Sequence, residues 1–443
     1  MSFPRYERYK ESGVEWLGEV PVGWAIRKIK QNSYLKGRVG WKGLKSDEFL
    51  TESFAYLITG IDFRGKYIDW SGCYQVDQFR YEDDPFIQLS NGDLLITKDG
   101  TIGKLAIVSD LDKPACLNSG IFLIRPEHSY LTTFLYWVLA SQIFSLFCDL
   151  TTYGSTIQHL YQNVFENFAF PIPPLPEQHR IAAFLDRETA KIDALIAEQQ
   201  RLIALLAEKR QATISHAVTK GLNPDAPMKD SGVEWLGEVP EHWVTPTLNS
   251  RYSIELGKML DEKRITGTHL VPYLRNVDVQ WDSINYEELP EMDIQEVEFP
   301  RYTVQKGDLL ICEGGEVGRA AMVGDLVGIC GFQKALHRVR PRDASEHTRF
   351  LFYTFVWAAA TGVFKVGGTS TIAHLTGEQL RRYRFPNPPY VEQTAIAVFL
   401  DIYTASLDTL TTEAKHAITL LQERRTALIS AAVTGKINVQ GVA

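Results

Sequence analysis

Two glycine-rich turns carry the side chains best suited to gripping a phosphate. Lys98-Asp99-Gly100-Thr101-Ile102-Gly103-Lys104 sets two lysines around glycines whose bare backbone amides can approach a partner closely. Its counterpart, Glu313-Gly314-Gly315-Glu316-Val317-Gly318-Arg319, keeps two glycines and a closing cation but adds two carboxylates. Those acids weaken a phosphate role for the second turn, although a glutamate can accept from the amine of cytosine. A tight hairpin needing positive φ explains the glycines equally well, and explains Lys104 and Arg319 less readily. A second patch occurs twice, as Gly154–Leu160 and Gly368–Leu375. Its Ser155, Thr156 and Gln158, and its Thr369, Ser370 and Thr371, suit either capping of a helix or hydrogen bonding to phosphate. Between Ala25 and Lys45 lie seven basic residues and no acidic one. Lys36, Arg38 and Lys42 stand there beside Tyr34 and Trp41, a mixture that favours a polyanion as much as a solvated edge. Arg275 and Lys334 complete the candidate contact set in the second half.

Catalytic chemistry is harder to place. Asn387-Pro388-Pro389-Tyr390 matches the tetrapeptide with which adenine-N6 methyltransferases hold the target amine. The corresponding residues in the first half, Ile172-Pro173-Pro174-Leu175, lack both the amide and the ring. The tetrapeptide also abuts a long helical pattern, and no glycine-rich cofactor turn in a βαβ setting precedes it. Gly100–Lys104 is too short for a nucleotide-hydrolase phosphate loop and lacks its Ser/Thr. Ten histidines include no HExxH, and the five cysteines show no CxxC spacing, so neither a zinc site nor a disulfide framework is expected. No catalytic residue, metal or cofactor is expected on this chain.

These residues are positioned by a chain written twice. Ser12–Pro21 returns letter for letter as Ser231–Pro240, an offset of 219. Asn91–Lys104 returns as Lys306–Arg319, and Phe170–Gln178 as Phe385–Gln393, both at 215. Between the matched blocks, residues 25–90 and 244–305 are poorly alike. Loop drift after duplication explains this; so do two inserts that read different targets on a shared frame. Short strand-like runs flank each glycine-rich turn, at Phe54–Asp62, Asp93–Ile96, Ala106–Val108 and Ile121–Ile124 in the first copy. Val271–Asp278, Asp308–Ile311 and Ala335–Val339 repeat them in the second. Helical texture follows, at Tyr130–Leu150 and near 346–361.

Each copy closes in a segment free of glycine and proline. From Glu177 to Lys220, Ile181, Leu185, Ile192, Leu195, Leu202 and Leu206 form an apolar stripe. From Glu392 to Thr434 the stripe comprises Ile396, Leu400, Tyr403, Leu407, Leu410, Ala414, Ala417, Leu421 and Leu428. Upstream prolines (Pro171, Pro173, Pro174, Pro176; Pro386, Pro388, Pro389) bar backward extension. Helices of this kind would run about 65 Å at ~1.5 Å per residue. Related by a dyad, they pair antiparallel and act as a ruler between two globular ends. The expected division is a repeat segment at 1–24, a first recognition domain at 25–176 and a central helix at 177–220. A linker with the second repeat segment at 221–243, a second domain at 244–391 and a closing helix and tail at 392–443 complete it.

A length of 443 residues favours two domains, and 45% hydrophobic content supports ordinary cores. The net charge of −8 argues mildly against a polyanion, so the local basic clusters carry that reading. The charged N-terminus and the absence of a bilayer-length apolar run lead to a cytoplasmic expectation.

The ordered set is Glu-Trp-Leu-Gly-Glu-Val-Pro…Trp, Gly-Asp-Leu-Leu-Ile…Gly…Gly-Lys/Arg, Phe-Pro-x-Pro-Pro…Glu-Gln and a long helix ending Ile-Ser-x-Ala-Val-Thr. It resembles the DNA-specificity subunit of type I restriction–modification systems over nearly the whole chain. The resemblance implies an α+β fold class: two similar α/β target-recognition domains separated by two long helices that pair as an antiparallel coiled coil, with an internal pseudo-two-fold repeat. It implies a non-catalytic, sequence-specific reader of a bipartite, asymmetric double-stranded DNA site. It also implies two methyltransferase subunits carrying S-adenosylmethionine, and restriction subunits using ATP and Mg. Individual base contacts do not transfer, because recognition residues vary within such a family. Two alternatives stay open at this stage: a self-contained adenine-N6 methyltransferase using Asn387–Tyr390, and a coiled-coil adaptor that binds only proteins.

Overall fold

A computed structural model describes residues 3–38, 44–127, 129–151, 159–260, 266–365 and 374–441. The chain divides into two compact units, residues 1–199 with 416–443, and residues 200–415.

The first unit is built on a six-stranded sheet. In spatial order its strands are Ser33–Gly37, Ile121–Pro126, Leu94–Thr97, Leu105–Ile107, Tyr67–Ile68 and Phe63–Arg64. Asp-Leu-Leu-Ile alternates with period two and is buried on both faces. Leu94 and Ile96 enter a core with Phe134, Phe144 and the helices, whereas Leu95 enters another with Ala55, Leu57 and Leu123. That second core lies against a smaller sheet ordered Ala115–Leu117, Ala55–Ile58, Tyr74–Val76.

The second unit repeats this plan with Tyr252–Leu256, Leu336–Pro341, Leu309–Cys312 and Ala320–Met322 in one sheet. Leu309 and Ile311 face one core, Leu310 and Cys312 the other. Equivalent Arg–Asp clamps brace the two sheets. Arg125 grips Asp93 at 2.7 Å through two nitrogens, and Arg340 grips Asp308 at 2.6 and 2.7 Å. Such bidentate pairs fix geometry as well as charge.

The helical region expected at Tyr130–Leu150 is two helices, Thr132–Leu139 and Gln142–Thr151. Its counterpart is one, Thr348–Ala360. The long helices are Leu175–Lys220 and Tyr390–Val433, spanning 46 and 44 residues. Pro176 lies inside the first turn, where a missing N–H costs nothing because that donor has no helical partner. The helices pair antiparallel within each unit. In the first, Arg425 meets Asp193 at 2.8 Å, while Ile181 and Leu185 share a core with Ile429 and Val433. In the second, Arg210 meets Asp408 at 3.4 Å, while Ile214 and Val218 share a core with Ile396 and Leu400. Of the expected stripe, Ile181, Leu185, Ile192, Leu206, Ile396, Leu400, Leu407 and Ala414 are buried. Leu195, Leu202 and Leu410 are exposed instead, because one partner helix covers only one narrow face.

The twice-written leader seals a helix end in each unit. Leu17 and Trp24 pack with Ile429, Ala432 and Val433 at the end of the second long helix. Leu236, Val239 and Trp243 pack with Ile214, Ala217 and Val218 at the end of the first. Gly435 and Gly221 follow these ends at φ +73° and +79°. A Cβ at Gly435 would press within 2.5 Å of Pro21, so glycine answers both the backbone and the space there.

Candidate nucleic-acid interface

In each unit the glycine-rich turn joins two neighbouring antiparallel strands of the main sheet and meets the end of the second repeated patch. Leu160 N–H donates to Lys98 O at 3.0 Å, and Leu375 N–H donates to Glu313 O at 2.7 Å. Segments far apart in sequence are thus joined at the same place in each unit, where the described end of the patch meets the turn. In the first unit Thr97 holds the turn closed: its hydroxyl donates to Thr101 O at 2.5 Å and accepts Lys104 N–H at 3.0 Å. Gly100, Gly103, Gly315 and Gly318 all have φ between +67° and +84°. At Gly318 a Cβ would also collide with the Phe364 ring. The glycines therefore have a structural role of their own, whatever else they contact.

The first turn presents its charge outward. Gly100, Thr101 and Lys104 are exposed, and the half-buried Lys98 holds its ammonium 5.0 Å from the Phe122 ring centre. Lys36 is exposed on the edge strand of the sheet, and Lys334 is exposed in the second unit. Arg38 departs from the expectation of a phosphate contact. It is 2% exposed, and its Nε donates to Leu117 O at 2.9 Å, so its charge serves the interior. Arg319 and Arg275 also turn toward their own domain. Arg319 donates to Asn276 O and Oδ1 at 2.9 Å, and Arg275 is paired bidentately with Asp278 at 2.9 and 2.8 Å. Asp278 is held below the usual carboxylate range: burial opposes this, and the Arg275 hydrogen bonds outweigh it. Lys42, Ser155, Thr156, Gln158, Thr369, Ser370 and Thr371 lie outside the described residues.

Sequence reading missed Asp99 and His159, whose Oδ1 and Nδ1 meet where turn and patch join, with the Tyr161 ring tilted against the imidazole at 4.5 Å between centres. The signal that could have found them was a histidine at the same place in both patches, His159 and His374. Behind each turn lies a cleft. In the first unit it is about 310 Å³ and bounded by Ile102, Phe144, Cys148 and His159; in the second it is about 600 Å³, bounded by Trp281, Glu316, Phe352 and Phe364.

The tetrapeptide suggestive of methyl transfer is structural. Asn387 N–H donates to Val244 O at 2.8 Å, and Asn387 Oδ1 accepts from Gln393 Nε2 at 2.9 Å. Gln393 also donates to Pro388 O at 2.9 Å and accepts His347 N–H at 2.8 Å. Gln178 makes the matching bonds in the first unit, to Pro173 O at 2.8 Å and from Leu131 N–H at 2.9 Å. The Glu-Gln motif thus pins the start of each long helix to its domain. Burial pushes the Cys116, Cys148 and Cys330 thiols up to about 11, away from thiolate reactivity. Among the described residues there is no group of three or more His, Cys, Asp or Glu placed to hold a metal.

Comparison with known proteins matches residues 64–204 and 240–420 to a family model described as the type I restriction modification DNA specificity domain. The chain is 23% identical to the type I restriction enzyme EcoKI specificity subunit of Escherichia coli K12, over 96% of this chain and 91% of that one. It is 25% identical to the putative type I restriction enzyme MjaX specificity subunit of Methanocaldococcus jannaschii, over 99% of both. Among solved structures, a chain from work on complex assembly and conformational transition of the type I R-M system superposes with TM-score 0.70. It has 18% identity, covering 94% of this chain and 99% of that chain. The HsdS subunit from Thermoanaerobacter tengcongensis superposes with TM-score 0.58 at 17% identity, covering 94% and 98%.

Proposed function

The chain belongs to the type I restriction–modification DNA specificity family, and from that premise we propose how it works. It is the non-catalytic DNA-recognition subunit, reading a bipartite site with one domain per half-site. The observation that carries this reading is the doubled surface: one turn-and-patch frame, built twice and furnished differently. In the first unit Lys36, Lys98, Gly100, Thr101 and Lys104 supply phosphate contact, joined by Ser155, Thr156 and Gln158. In the second, Lys334 and the hydroxyls of Thr369, Ser370 and Thr371 serve that purpose. Arg275 and Arg319, expected from sequence to join them, are engaged by Asp278 and Asn276 and stay outside this contact set. Glu313 and Glu316 suit a base amine better than a phosphate.

Two methyltransferase subunits dock on the scaffold and bring S-adenosylmethionine; restriction subunits bring ATP and Mg. Exposed apolar residues on the second long helix support such docking: Val391 is 80% exposed, Ile402 69% and Val398 50%. The continuous helices set the gap between half-sites. The complex works in the cytoplasm, where the host DNA lies. Among the described residues, no single helix is long and apolar enough to cross a membrane.

The test is exchange of residues 25–150 for those of a relative, followed by sequencing of modified adenines in the host genome. One half of the recognised site is expected to change. A change in both halves, or in neither, overturns independent reading by two domains.

A further inference from the structure

Asp186 and Asp401 occupy equivalent places on the two long helices, one in each copy of the repeat. Each receives a cation and an aromatic donor from its own unit. In the first, Lys66 Nζ lies 2.5 Å from Asp186 Oδ1, and Trp137 Nε1 donates to the same oxygen at 2.9 Å. In the second, Arg349 Nε and the Tyr353 hydroxyl each donate to Asp401 Oδ1 at 2.7 Å. The cations also lie over equivalent rings. Lys66 is 5.5 and 5.6 Å from the Tyr136 and Trp137 centres, and Arg349 is 4.5 and 4.9 Å from those of Phe352 and Tyr353. Both cations are partly shielded, at 16% and 20% side-chain exposure, so salt screens them less than an open surface pair.

The two clusters differ in where the cation comes from. Lys66 is the second turn residue of a two-residue hairpin, Phe63–Arg64 with Tyr67–Ile68. The equivalent hairpin, Val279–Gln280 with Ser283–Ile284, has Asp282 at that position. Each hairpin meets the strand that follows the glycine-rich turn of its unit: Ile107 N–H donates to Lys66 O at 2.8 Å in the first, and Asp282 N–H donates to Ala320 O at 3.1 Å in the second. A carboxylate in this turn would repel Asp401. Arg349 lies between them, with Nη2 2.7 Å from Asp282 Oδ2 and Nη1 on the other oxygen. The first unit clamps hairpin to helix through one cation. The second reaches the same end with an arginine between two acids. Asp282 is held at φ +58°, a region sparsely used outside glycine.

We propose that these clusters are latches, and that Lys66, Asp186, Asp282, Arg349 and Asp401 are positioning residues for recognition. They fix the angle at which each recognition sheet leaves its helix, and so set how strictly the gap between half-sites is read. The proposal rests on the reading of this chain as a two-site DNA reader. It concerns a second attachment of each domain to its helix, beside the chain connection itself.

The test uses the full chain assembled with its methyltransferase subunits. Methylation is compared on duplexes carrying both half-sites at the gap used in the host genome, and at gaps one base pair shorter or longer. Asp186→Asn and Asp401→Asn are each expected to reduce discrimination between gaps roughly five-fold, with half-site sequences unchanged. Arg349→Gln is expected to do the same. Adding Asp282→Lys to Arg349→Gln transplants the first unit's arrangement into the second and is expected to restore discrimination. A purely space-filling role would not produce that charge-specific rescue. Unchanged gap discrimination in both Asp→Asn variants overturns the proposal, as does failure of Asp282→Lys to rescue Arg349→Gln. Failure of the underlying functional reading looks different: the unmodified complex would then show no dependence on two half-sites at all.

Discussion

The two glycine-rich turns have the same backbone and opposite electrostatics. In the first, Thr97 ties the loop to itself, leaving Lys104 exposed beside the half-buried Lys98. In the second, Arg319 folds back onto Asn276, and Trp281 Nε1 donates to Glu316 at 2.6 Å. A shared frame therefore does not imply shared contacts. Strand pairing, glycine φ and the junction with the following patch are common to both. What faces outward is set by a few side chains that the frame does not constrain. A protein that must read two unlike half-sites needs this separation of frame from reading surface.

The largest difference between the units lies inside. Arg251 and Glu346 form a pair at 2.6 Å with both side chains under 5% exposed, and Tyr252 adds a hydrogen bond to Glu346 at 3.1 Å. The first unit has Asn32 in the place of Arg251: Asn32 O accepts Glu127 N–H at 2.8 Å just as Arg251 O accepts Arg342 N–H at 3.0 Å. Glu346→Ala leaves a buried guanidinium without its counterion and is expected to cost about 3–5 kcal/mol. The loss should fall on the second unit alone, read as amide exchange that accelerates at residues 200–415 and stays unchanged in the first unit. Uniform acceleration would show that the units unfold together.

At the turns, reversing charge with Lys98→Glu and Lys104→Glu should weaken binding to all DNA sequences. The slope of log affinity against log salt should shrink by ~0.9 for each phosphate that is no longer neutralised. Arg319→Met in the second turn should leave that slope alone and lower thermal stability instead, since Arg319 serves Asn276. Equal slopes in both variants would erase the contrast between the turns.

A smaller effect separates Phe122 from His337, which stand at the same strand position. His337 is fully buried, its Nε2 2.8 Å from Leu375 O, and its Nδ1 has no hydrogen-bond partner among the described residues. Burial holds the imidazole below its ordinary value of 6.5. The unfolded chain takes up a proton near that value and the folded chain does not. Stability is therefore full above about pH 6.5 and declines as pH falls through the unfolded value toward the folded one. His337→Phe should abolish this acid sensitivity, at a cost of about 1 kcal/mol at neutral pH for the lost hydrogen bond. Denaturant titrations at pH 5 and pH 8 measure both; an unaltered pH dependence assigns the effect elsewhere.

Much of the fold was legible because it is periodic or punctuated. Asp-Leu-Leu-Ile, the proline-fronted helices and the letter-for-letter leader each carry their structure in local pattern. The junction of turn and patch was not legible, since it depends on backbone bonds between segments distant in sequence. Arg38 misled because its burial is decided by Leu117, itself far along the chain. Leu195, Leu202 and Leu410 fitted a three-and-four spacing yet stand outside the stripe that a single partner helix covers. The latches were least legible of all. Their aspartates repeat on the two long helices, but the hairpin residues Lys66 and Asp282 fall in the segments that look unrelated, where a lysine is exchanged for an aspartate while the turn keeps its function.

The smallest expected effect tests the tetrapeptide that most resembled an active site. Asn387 differs from Ile172, its counterpart, by adding one amide to an otherwise equivalent pin between Gln393 and the preceding prolines. Asn387→Ala removes the acceptor for Gln393 Nε2, while Gln393 keeps its bonds to Pro388 O and Ser345 O at 2.9 and 3.3 Å. The expected cost is about 1 kcal/mol of stability in the second unit. Methylation by the assembled complex should persist, because the first unit performs the same pinning with an isoleucine there. A complex that assembles and binds DNA normally yet loses methylation would return the chemistry to this chain, and the two units would then differ in kind and not only in furnishing.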